Sequence, residues 1–461
     1  MPSTPTLPEP RPTAGTEPAG PVIPRLPDGV APPPSFAQER IWFFEHLTPG
    51  TSVNGVFLAV RLRGPLDLAR LNQAVQIVGT RHDSLRMSFP TVDGRLTVVV
   101  PDTVEIPCRV VTAAHEEQAR ALLARVGGYR FDIATGPLVR VSVIRLADDD
   151  HVLHVLAHHI ITDGWSHALL LKDIAAVYTS LVTGGPLPPA PVVRYGDVAA
   201  WQRQRLAGPV GEQDLAYWRD VLADVPALEL PTDRPRPDEQ NHAGFGVVVE
   251  IDDELTEALR RLARAQRASL FMVLLSGLAV VLGQASRQED FAIGTAVAGR
   301  LVPEVEDVIG LFVNTLAIRV DLSGSPSFAT LLRRIRQRVL GALAHQEVPF
   351  ERVVQDLRVP RDLSRMPVFQ VVFALQNYES TTGPWPEDVS AEWFHVASDT
   401  CLFDASLTLT DHGSGMRGWF AYRTDLFDHE TVAGLARRLV AVLAAAVAHP
   451  DTPLTELPVP A

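Results

Sequence analysis

The chain has 461 residues and a formal net charge of −13, because 54 acidic side chains outnumber 41 basic ones. This acidic balance excludes the basic surface that recognition of a nucleic-acid backbone requires. Hydrophobic residues make up 46% and charged residues 21%, which indicates a folded globular protein that is too long for one compact core. We therefore expect two domains, or three.

Lysine and cysteine usage limits the possible chemistry. Lys172 is the only lysine, so a pyridoxal enzyme would have to form its Schiff base there, and no lysine completes a GxxxxGK[ST] phosphate loop. Cys108 and Cys401 form no CxxC pair, which argues against a disulfide scaffold or a cysteine-rich zinc site. This usage is typical of a reducing compartment, and the expected location is the cytoplasm.

Proline-rich segments mark both ends of the chain. Twelve of the 38 prolines fall between residues 2 and 34, where no apolar periodicity exists, so residues 1–34 are predicted to be a disordered tail. The segment lacks the charged start and apolar run of a secretory signal. Residues 453–461 are predicted to be a second short tail. The longest apolar run, 270–282, is shorter than the ~20 residues that span a bilayer, so we expect a buried core helix and no membrane association.

Between the tails, helical and strand patterns alternate, which predicts a mixed α/β (α+β) fold. The first half is predicted to contain helices at 66–79 and 166–181, and strands at 97–100, 141–144 and 151–160. The second half is predicted to contain helices at 255–282, 328–344 and 431–448, strands at 291–298 and 368–375, and a hairpin of 402–410 and 418–423.

Two Gly/Pro-rich stretches, 184–193 and 231–237, bracket a bridging segment. They place the domain boundary there. The expected organisation is an N-terminal lobe over 35–190, a bridge over 191–235 and a C-terminal lobe over 236–452.

The strongest functional signal is His158-His159-Ile160-Ile161-Thr162-Asp163-Gly164, which follows a predicted strand and precedes a predicted helix. Adjacent strand residues point to opposite faces, so one imidazole can enter a cleft while the other packs inward. Gly164 lets a ligand approach the backbone, and Asp163 can fix the local geometry. The alternative is a pair of core histidines beside an Asp-Gly turn.

Three other chemistries are less well supported. Strand geometry sends four neighbouring histidines to two opposite faces, so no metal site is predicted from His151, His154, His158 and His159. A GxSxG motif is absent, which weakens a serine-hydrolase interpretation. Residues 413–418 match GxGxxG, but they lie between two predicted strands with no helix after them, so we interpret them as a hairpin turn.

Seven sequence elements, in order, resemble the condensation domains of nonribosomal peptide synthetases over residues 35–428. They are SFAQERIW (35–42), RHDSLR (81–86), HHIITDGWS (158–166), YGDVAAWQ (195–202), IGLFVNT (309–315), HQEVPFE (345–351) and RDLSRMPVFQ (361–370). The resemblance implies two chloramphenicol-acetyltransferase-like lobes in a V-shaped pseudo-dimer with a central tunnel. A phosphopantetheine arm on a partner carrier protein would enter this tunnel, and no tightly bound cofactor is implied.

The resemblance also implies the roles of the central residues. His159, the second histidine of the motif, is the expected catalytic group, and His158 is expected to be structural. A neutral His159 could accept the proton of an attacking amine or alcohol, or act by positioning it. Asp163 is expected to pair with an arginine from the other half of the chain. Arg300 is the first candidate for that arginine and Arg86 is the second.

Four more residues are assigned to the tunnel by the same resemblance. Gly164 would leave room for the arm, and Trp165 and Ser166 would shape the tunnel. Asn314 would position groups near the reaction centre. The alternative role of these residues is packing.

Two positions depart from the family pattern. Met87 stands where a threonine usually follows the Leu-Arg pair, and Val198 stands where a phenylalanine is common. The histidine motif is intact, which favours catalysis over a degenerate recruiting domain, and the doubled aspartate of heterocyclising relatives is missing. Epimerisation on the same scaffold is less favoured, because the residues after Asp163 and the Asn314-Thr315 pair are more similar to condensation domains.

The expected function is condensation by a free-standing, monomeric enzyme in natural-product biosynthesis. The chain starts at a methionine and shows neither an adenylation module nor a carrier-protein serine motif. It would transfer an acyl or aminoacyl group from a carrier thioester to an alcohol or amine, giving an ester or an amide. Some relatives of this kind esterify natural-product cores such as enediynes. The alternatives are a coenzyme A-dependent acyltransferase with the same motif and a non-catalytic carrier-recruiting platform.

Overall fold

The computed structural model describes residues 23–47, 53–360, 362–376, 382–394, 396 and 400–457. Within these residues the chain forms two large β-sheets, each covered by helices, and two helices connect the halves. The mixed α/β class predicted from the sequence is confirmed.

The described residues of the N-terminal half form four helices and six strands. The helices are α1 (Phe36–Leu47), α2 (Leu68–Arg81), α3 (Glu116–Gly127) and α4 (Gly164–Thr183). The strands are β1 (Gly55–Arg63), β2 (Thr91–Val92), β3 (Arg95–Leu96), β4 (Cys108–Thr112), β5 (Val139–Ala147) and β6 (Asp150–His158). Short 3₁₀ turns occur at Asp83–Arg86 and His159–Ile161.

The bridge consists of α5 (Tyr195–Leu206) and α6 (Pro209–Val221). The C-terminal half adds the helices α7 (Asp253–Ala265), α8 (Leu270–Ser286), α9 (Phe328–Ala344), α10 (Phe350–Leu357) and α11 (His429–Ala448). Its strands are β7 (Gly244–Ile251), β8 (Asp290–Val297), β9 (Asn314–Asp321), β10 (Phe369–Gln376), β11 (Ser390–Trp393), β12 (Ala405–Asp411) and β13 (Met416–Arg423), with a 3₁₀ turn at Pro303–Val305.

The sheet of the N-terminal lobe has the strand order β11-β1-β6-β5-β4, and that of the C-terminal lobe has the order β7-β13-β12-β10-β8-β9. Strand β6 is central and pairs antiparallel with both β1 and β5. It is buried from His151 to His158, as its run of apolar residues predicts. Because β6 ends at His158, the histidine motif leaves the sheet from the middle of the lobe.

The long apolar helices are core elements of the C-terminal lobe. The sequence predicts one helical stretch over 255–282, whereas α7 and α8 meet at a bend of 105°. Arg267 lies at φ 51° after α7, and the Ser269 hydroxyl accepts the Met272 N–H at 3.3 Å to start α8. Among the described residues, α11, and α7–α8 if counted as one span, are long and apolar enough to cross a membrane. Residues 272–283 of α8 are all buried in the lobe.

Two segments of the C-terminal half lie in the N-terminal lobe, which corrects the predicted boundary of 236–452. Strand β11 pairs antiparallel with β1 and places Trp393 opposite Val60. The second segment is residues 305–313, here called the crossing segment, whose Val305, Val308, Ile309 and Leu311 side chains are buried in the N-terminal core. The chain therefore crosses between the lobes, which local sequence patterns cannot show.

The predicted bridge, 191–235, is also divided between the two cores. Val193, Tyr195 and Val198 belong to the N-terminal core, whereas Leu215 and Trp218 belong to the C-terminal core. The bridge is therefore a part of both lobes.

Parts of both predicted tails are packed. Ile23 is 1% exposed, and the Leu26 N–H donates to the Asp197 carboxylate at 2.8 Å. Leu454 and Leu457 lie in the C-terminal core. The predictions for 1–34 and 453–461 are therefore wrong for residues 23–34 and 453–457, because apolar anchors and hydrogen bonds hold them. The other residues of both segments lie outside the described residues.

Candidate active site

The histidine motif lies between the end of β6 and the start of α4. The His158 N–H donates to the Leu138 carbonyl at 2.8 Å, and the His159 N–H donates to the Asn54 carbonyl at 2.7 Å. After the short 3₁₀ turn, Asp163 caps α4 by accepting the Ser166 N–H at 2.8 Å. The two histidines are thus held by backbone bonds on one side and by a helix cap on the other.

The His159 imidazole has its Nδ1 nitrogen fixed by a hydrogen bond, and its Nε2 nitrogen has no hydrogen-bond partner among the described residues. Its Nδ1 lies 2.7 Å from the Thr162 carbonyl oxygen, which can only accept a hydrogen bond. The neutral ring therefore carries its proton on Nδ1 and leaves the lone pair on Nε2. Burial lowers the pKa of His159, and the nearby Arg40 guanidinium lowers it further, while the Thr162 bond and Asp163 act in the opposite direction. A lowered pKa keeps the ring neutral at neutral pH.

The His158 imidazole has a different environment. Its Nδ1 accepts the Ile160 N–H at 3.2 Å, and its Nε2 lies 3.2 Å from Glu45 Oε1. The same carboxylate oxygen accepts the Asn54 side-chain N–H at 2.6 Å. With 3% of its surface exposed, His158 has both nitrogens bonded inside the protein. This geometry is that of a structural residue.

Asp163 connects the motif to the crossing segment. Its Oδ2 accepts the N–H groups of Phe312 at 2.8 Å and Val313 at 3.1 Å, and its Oδ1 lies 3.8 Å from the Arg300 guanidinium. Both charged side chains are 3% exposed. Both carboxylate oxygens are therefore engaged, by the start of α4 and by the other half of the chain.

Arg300 and Ser166 complete this buried network. The Ser166 hydroxyl accepts from Arg300 Nη2 at 2.7 Å and donates to the Gly310 carbonyl at 2.7 Å. Burial lowers the pKa of Arg300, whose Nη1 also donates to the Val308 carbonyl at 2.8 Å. Arg86, the second candidate, instead donates to the Pro101 carbonyl. Ser166 is 0% exposed, so it does not line a tunnel, contrary to the prediction, because its hydroxyl is used within the network.

Gly164 and Trp165 begin α4 on the exposed side of the motif. A Cβ at Gly164 would meet no protein atom within 4 Å, so the open space beside it belongs to solvent or ligand. Trp165 is 38% exposed, and its indole N–H donates to the Glu306 carbonyl at 3.1 Å. These positions suit residues that border an entrance.

Asn314 is placed differently from its predicted role. Its amide N–H groups donate to the carbonyls of Gln346 and Val348 at 2.9 and 2.8 Å, and its oxygen accepts the N–H groups of Thr315 and Phe350 at 2.8 and 3.0 Å. The side chain thus bonds to backbone alone. Its amide fastens the loop before α10, and a direct role towards substrate is corrected to one of support.

A narrow cleft with a cavity volume of about 50 Å³ lies between the lobes beside this network. Its lining comes from the starts of α1 and α10, from α5 and from residues 311–314, and includes Ser35, Trp201, Arg205, Glu347 and Glu351. The Arg40 guanidinium, on α1, meets the Glu351 carboxylate, on α10, at 2.9 Å across the seam. Within the described residues, no group of three or more His, Cys, Asp or Glu side chains could hold a metal ion.

Some residues of the site give no local signal in the sequence. Glu45 and Arg40 lie on a helix more than a hundred residues before the motif, and only the fold brings them to the two histidines. The partner at Thr162 is a backbone carbonyl, which every residue type has, so the identity of residue 162 does not predict it. Arg40 and Tyr195 do fall within the elements that carry the family resemblance.

Comparisons with known proteins identify the family. The family model described as Condensation domain matches residues 32–460. The chain is 38% identical over 448 residues to a protein of the linear gramicidin synthase of Brevibacillus parabrevis, with 95% of this chain and 6% of that protein covered. It is 40% identical over 437 residues to the phosphinothricin tripeptide synthetase PhsB of Streptomyces viridochromogenes, with 92% and 37% covered. The chain thus matches only a part of each of these longer proteins.

Two solved structures have the same fold. The X-domain in its complex with OxyB from teicoplanin biosynthesis gives a TM-score of 0.87 at 28% identity, covering 96% of this chain and 98% of that one. SgcC5 of Streptomyces globisporus, solved with (R)-(-)-1-(2-naphthyl)-1,2-ethanediol and sucrose, gives 0.76 at 26% identity, covering 92% and 100%.

Proposed function

Because the chain belongs to the condensation domain family found in nonribosomal peptide synthetases, we propose that it catalyses acyl transfer in natural-product biosynthesis. The donor is an acyl or aminoacyl group held as a thioester on the phosphopantetheine arm of a carrier protein. The acceptor is an amine or an alcohol, so the product is an amide or an ester. The proposal includes a cytoplasmic, monomeric enzyme, and the free thiols of Cys108 and Cys401 suit a reducing compartment.

The observation that carries the proposal is the fixed tautomer of His159. With Nδ1–H bonded to the Thr162 carbonyl, the Nε2 lone pair can accept the proton of the attacking N–H or O–H group. The new C–N or C–O bond forms at the thioester carbonyl, and the C–S bond then breaks. The thiolate leaves with the proton that Nε2 accepted, so the imidazole returns to its starting form. General base catalysis of this kind contributes about 10²–10⁴-fold in rate.

No covalent acyl-enzyme is required for this reaction. A thioester is already activated, so positioning and proton removal supply the main catalytic terms. An alcohol acceptor depends more strongly on His159, because a hydroxyl must lose its proton as it attacks. An amine that is neutral at the working pH depends more on positioning.

The free-standing, ester-forming version of this function has one specific support. SgcC5, which this chain covers over its whole length, was solved with a diol, and a diol carries the alcohol groups that an ester-forming acceptor needs. The proposed acceptor is accordingly a small molecule with a hydroxyl or amino group. Enediyne cores are one class of acceptor that fits this proposal.

A non-catalytic platform is the second candidate, since the X-domain is similar over nearly its full length and was solved bound to OxyB. The arrangement of His159, Thr162 and Asp163 favours catalysis in this chain. A coenzyme A-dependent acyltransferase would use the same imidazole with a free thioester. These three functions are separated by whether the protein transfers an acyl group at all, and by whether the donor thioester must be bound to a carrier protein or can be a coenzyme A thioester.

The test is a mass-spectrometric transfer assay with aminoacyl groups on a phosphopantetheinylated carrier and a mixed pool of amine and alcohol acceptors. We expect wild type to release acylated product and His159→Ala to lose about 10²-fold or more of the rate. His412→Ala, which changes an exposed imidazole on the turn between β12 and β13, is the matched control and retains full activity. Full activity of His159→Ala overturns the role of His159. Reaction with coenzyme A thioesters alone overturns the carrier-dependent donor.

A further inference from the structure

The crossing segment is fastened to the N-terminal lobe at five consecutive residues, 309–313. The bonds come from four side chains of that lobe and the bridge. Three hydroxyl groups donate to carbonyls of the segment: Ser84 to Ile309 (2.7 Å), Ser166 to Gly310 (2.7 Å) and Tyr195 to Leu311 (2.8 Å). The Ser166 hydroxyl also accepts the Gly310 N–H at 3.0 Å. The Asp163 carboxylate accepts the N–H groups of Phe312 (2.8 Å) and Val313 (3.1 Å). The backbone of the segment is thereby held to the other lobe.

Tyr195 occupies a special place among these four side chains. It is the first residue of α5 and is 2% exposed. A carbonyl can only accept, so the phenol proton points at the Leu311 oxygen, and the phenol oxygen is left to accept from the Ser35 hydroxyl, 2.9 Å away. One hydroxyl thus links the residue before α1, the bridge helix and the crossing segment.

The ring of Tyr195 also determines the path of the segment. A Cβ at Gly310 would overlap the ring, so the segment passes over the tyrosine with no room for a side chain. Phe312 meets the same ring edge-on, with centroids 5.2 Å apart. The segment is therefore both bonded to Tyr195 and shaped by it.

A short chain of contacts leads from Tyr195 to the catalytic imidazole. Leu311 precedes Phe312 and Val313, whose N–H groups bond to Asp163. Asp163 follows Thr162, whose carbonyl holds His159 Nδ1–H. A displacement of the crossing segment therefore moves the group that orients His159.

We propose that Tyr195 is a positioning residue for acyl transfer, acting through the crossing segment on the orientation of His159. This inference rests on the proposed function for its kinetic consequence, but not for its structural one. The hydroxyl does not touch the reacting atoms. It keeps residues 309–313 in the one arrangement in which Asp163 and the Thr162 carbonyl hold the imidazole correctly.

The test compares Tyr195→Phe with Tyr178→Phe. Both tyrosines are almost fully buried in the N-terminal core, at 2% and 1% exposure, and both lose one hydroxyl bond to backbone. Tyr178 bonds to the Asp67 N–H at 2.9 Å, away from the crossing segment. The pair therefore matches in the substitution and in burial, and it differs in location. Tyr195→Phe also loses the bond with the Ser35 hydroxyl, whereas the single Tyr178 bond is accepted from an N–H group.

Two measurements are made on each variant, well below its unfolding temperature. The first is hydrogen–deuterium exchange of peptides that contain residues 309–313, because the Gly310, Phe312 and Val313 amides are bonded in the network. We expect exchange there to quicken about tenfold in Tyr195→Phe alone, which matches the loss of the bond that the hydroxyl donates to the Leu311 carbonyl. The second is transfer kinetics, where we expect kcat to fall about tenfold with the KM for the donor carrier within about twofold of wild type.

Each result decides one claim. Unchanged exchange over 309–313 in Tyr195→Phe, or equal acceleration throughout both lobes, overturns the fastening role. Local acceleration with kcat equal to that of Tyr178→Phe overturns the positioning role. If wild type transfers no acyl group from any carrier, the proposed function fails, and the positioning role in catalysis fails with it. The exchange data then still decide whether Tyr195 holds the segment.

Discussion

Replacing Asp163 with alanine removes an anion on which three backbone N–H groups and one guanidinium depend. Ser166 N–H loses the cap of α4, the N–H groups of Phe312 and Val313 lose their acceptor, and Arg300 loses the opposing charge 3.8 Å away. None of these contacts is made with the His159 side chain. We therefore predict that Asp163→Ala acts through stability and the arrangement of the lobes.

The magnitude follows from the individual contacts. Losing a helix cap costs about 1 kcal/mol. Leaving a buried guanidinium without its partner costs about 3–5 kcal/mol. The two N–H groups of the crossing segment add to this, but all terms share one carboxylate and are not additive, so we expect about 4–6 kcal/mol in total. Domains have a free energy of unfolding of about 5–15 kcal/mol, so this variant is close to its folding limit.

The assay is urea unfolding, followed by the transfer assay at a temperature where each variant is folded. Asp252→Ala is the matched control, because Asp252 caps α7 through the Leu255 N–H at 2.9 Å but is exposed and has no ion pair among the described residues. The Asp252→Ala variant should lose about 1 kcal/mol of the free energy of unfolding. Asp163→Asn keeps an acceptor oxygen without the charge and should lie between the two. An Asp163→Ala protein as stable as Asp252→Ala, yet inactive, would refute the reasoning and assign Asp163 to the chemistry.

Three further predictions concern other residues of the lobes. With an alcohol acceptor, kcat/KM should stay at its neutral-pH value down to pH 6.5 and fall only at lower pH. The reason is that burial lowers the pKa of His159, whose neutral form accepts the proton. A fall in kcat/KM whose midpoint lies above pH 6.5 contradicts this prediction. His154 is fully buried with a pKa lowered from 6.5 to about 4, so the folded state binds fewer protons than the unfolded state and stability falls as pH drops below 6.5. Between pH 7 and 4.5, the free energy of unfolding measured in urea should fall by about 2.5 kcal/mol less in His154→Leu than in wild type. An equal pH dependence in the two proteins counts against this prediction. Asn314→Ala should lower the free energy of unfolding by about 2–4 kcal/mol, because four backbone groups lose their partner. As a control, Asn72→Ala changes an exposed asparagine and should shift the midpoint of urea unfolding little.

The parts of the site that are local in the chain can be predicted from the sequence. The apolar run of β6 predicts a buried strand, and the alternation of its side chains gives the two histidines opposite environments. The helix start at Asp163 is a cap residue followed by a helical pattern. The pairing of Asp163 with Arg300 is implied by the family resemblance, and the structure places the two charges 3.8 Å apart.

The parts that depend on segments distant in the chain cannot be predicted in this way. The family resemblance implies a tunnel role for Ser166, but its partner Gly310 is 144 residues away, and nothing in either local sequence shows that they meet. Asn314 is likewise assigned to substrate, although three of its four partners lie 32 to 36 residues further on. A polar residue near a motif suggests a function, whereas a buried polar residue must first satisfy its own hydrogen bonds.

The way the crossing segment is held explains why its role is hard to predict from residue types. Ser84, Ser166 and Tyr195 all bond to its backbone carbonyls, and Asp163 bonds to its N–H groups. Every residue type except proline offers the same backbone groups, so these bonds place little demand on the side chains of the segment. Gly310 is the exception, because the Tyr195 ring leaves no room for a Cβ. A segment recognised through its backbone can keep its geometry while its sequence changes, and that fits a TM-score of 0.87 at 28% identity.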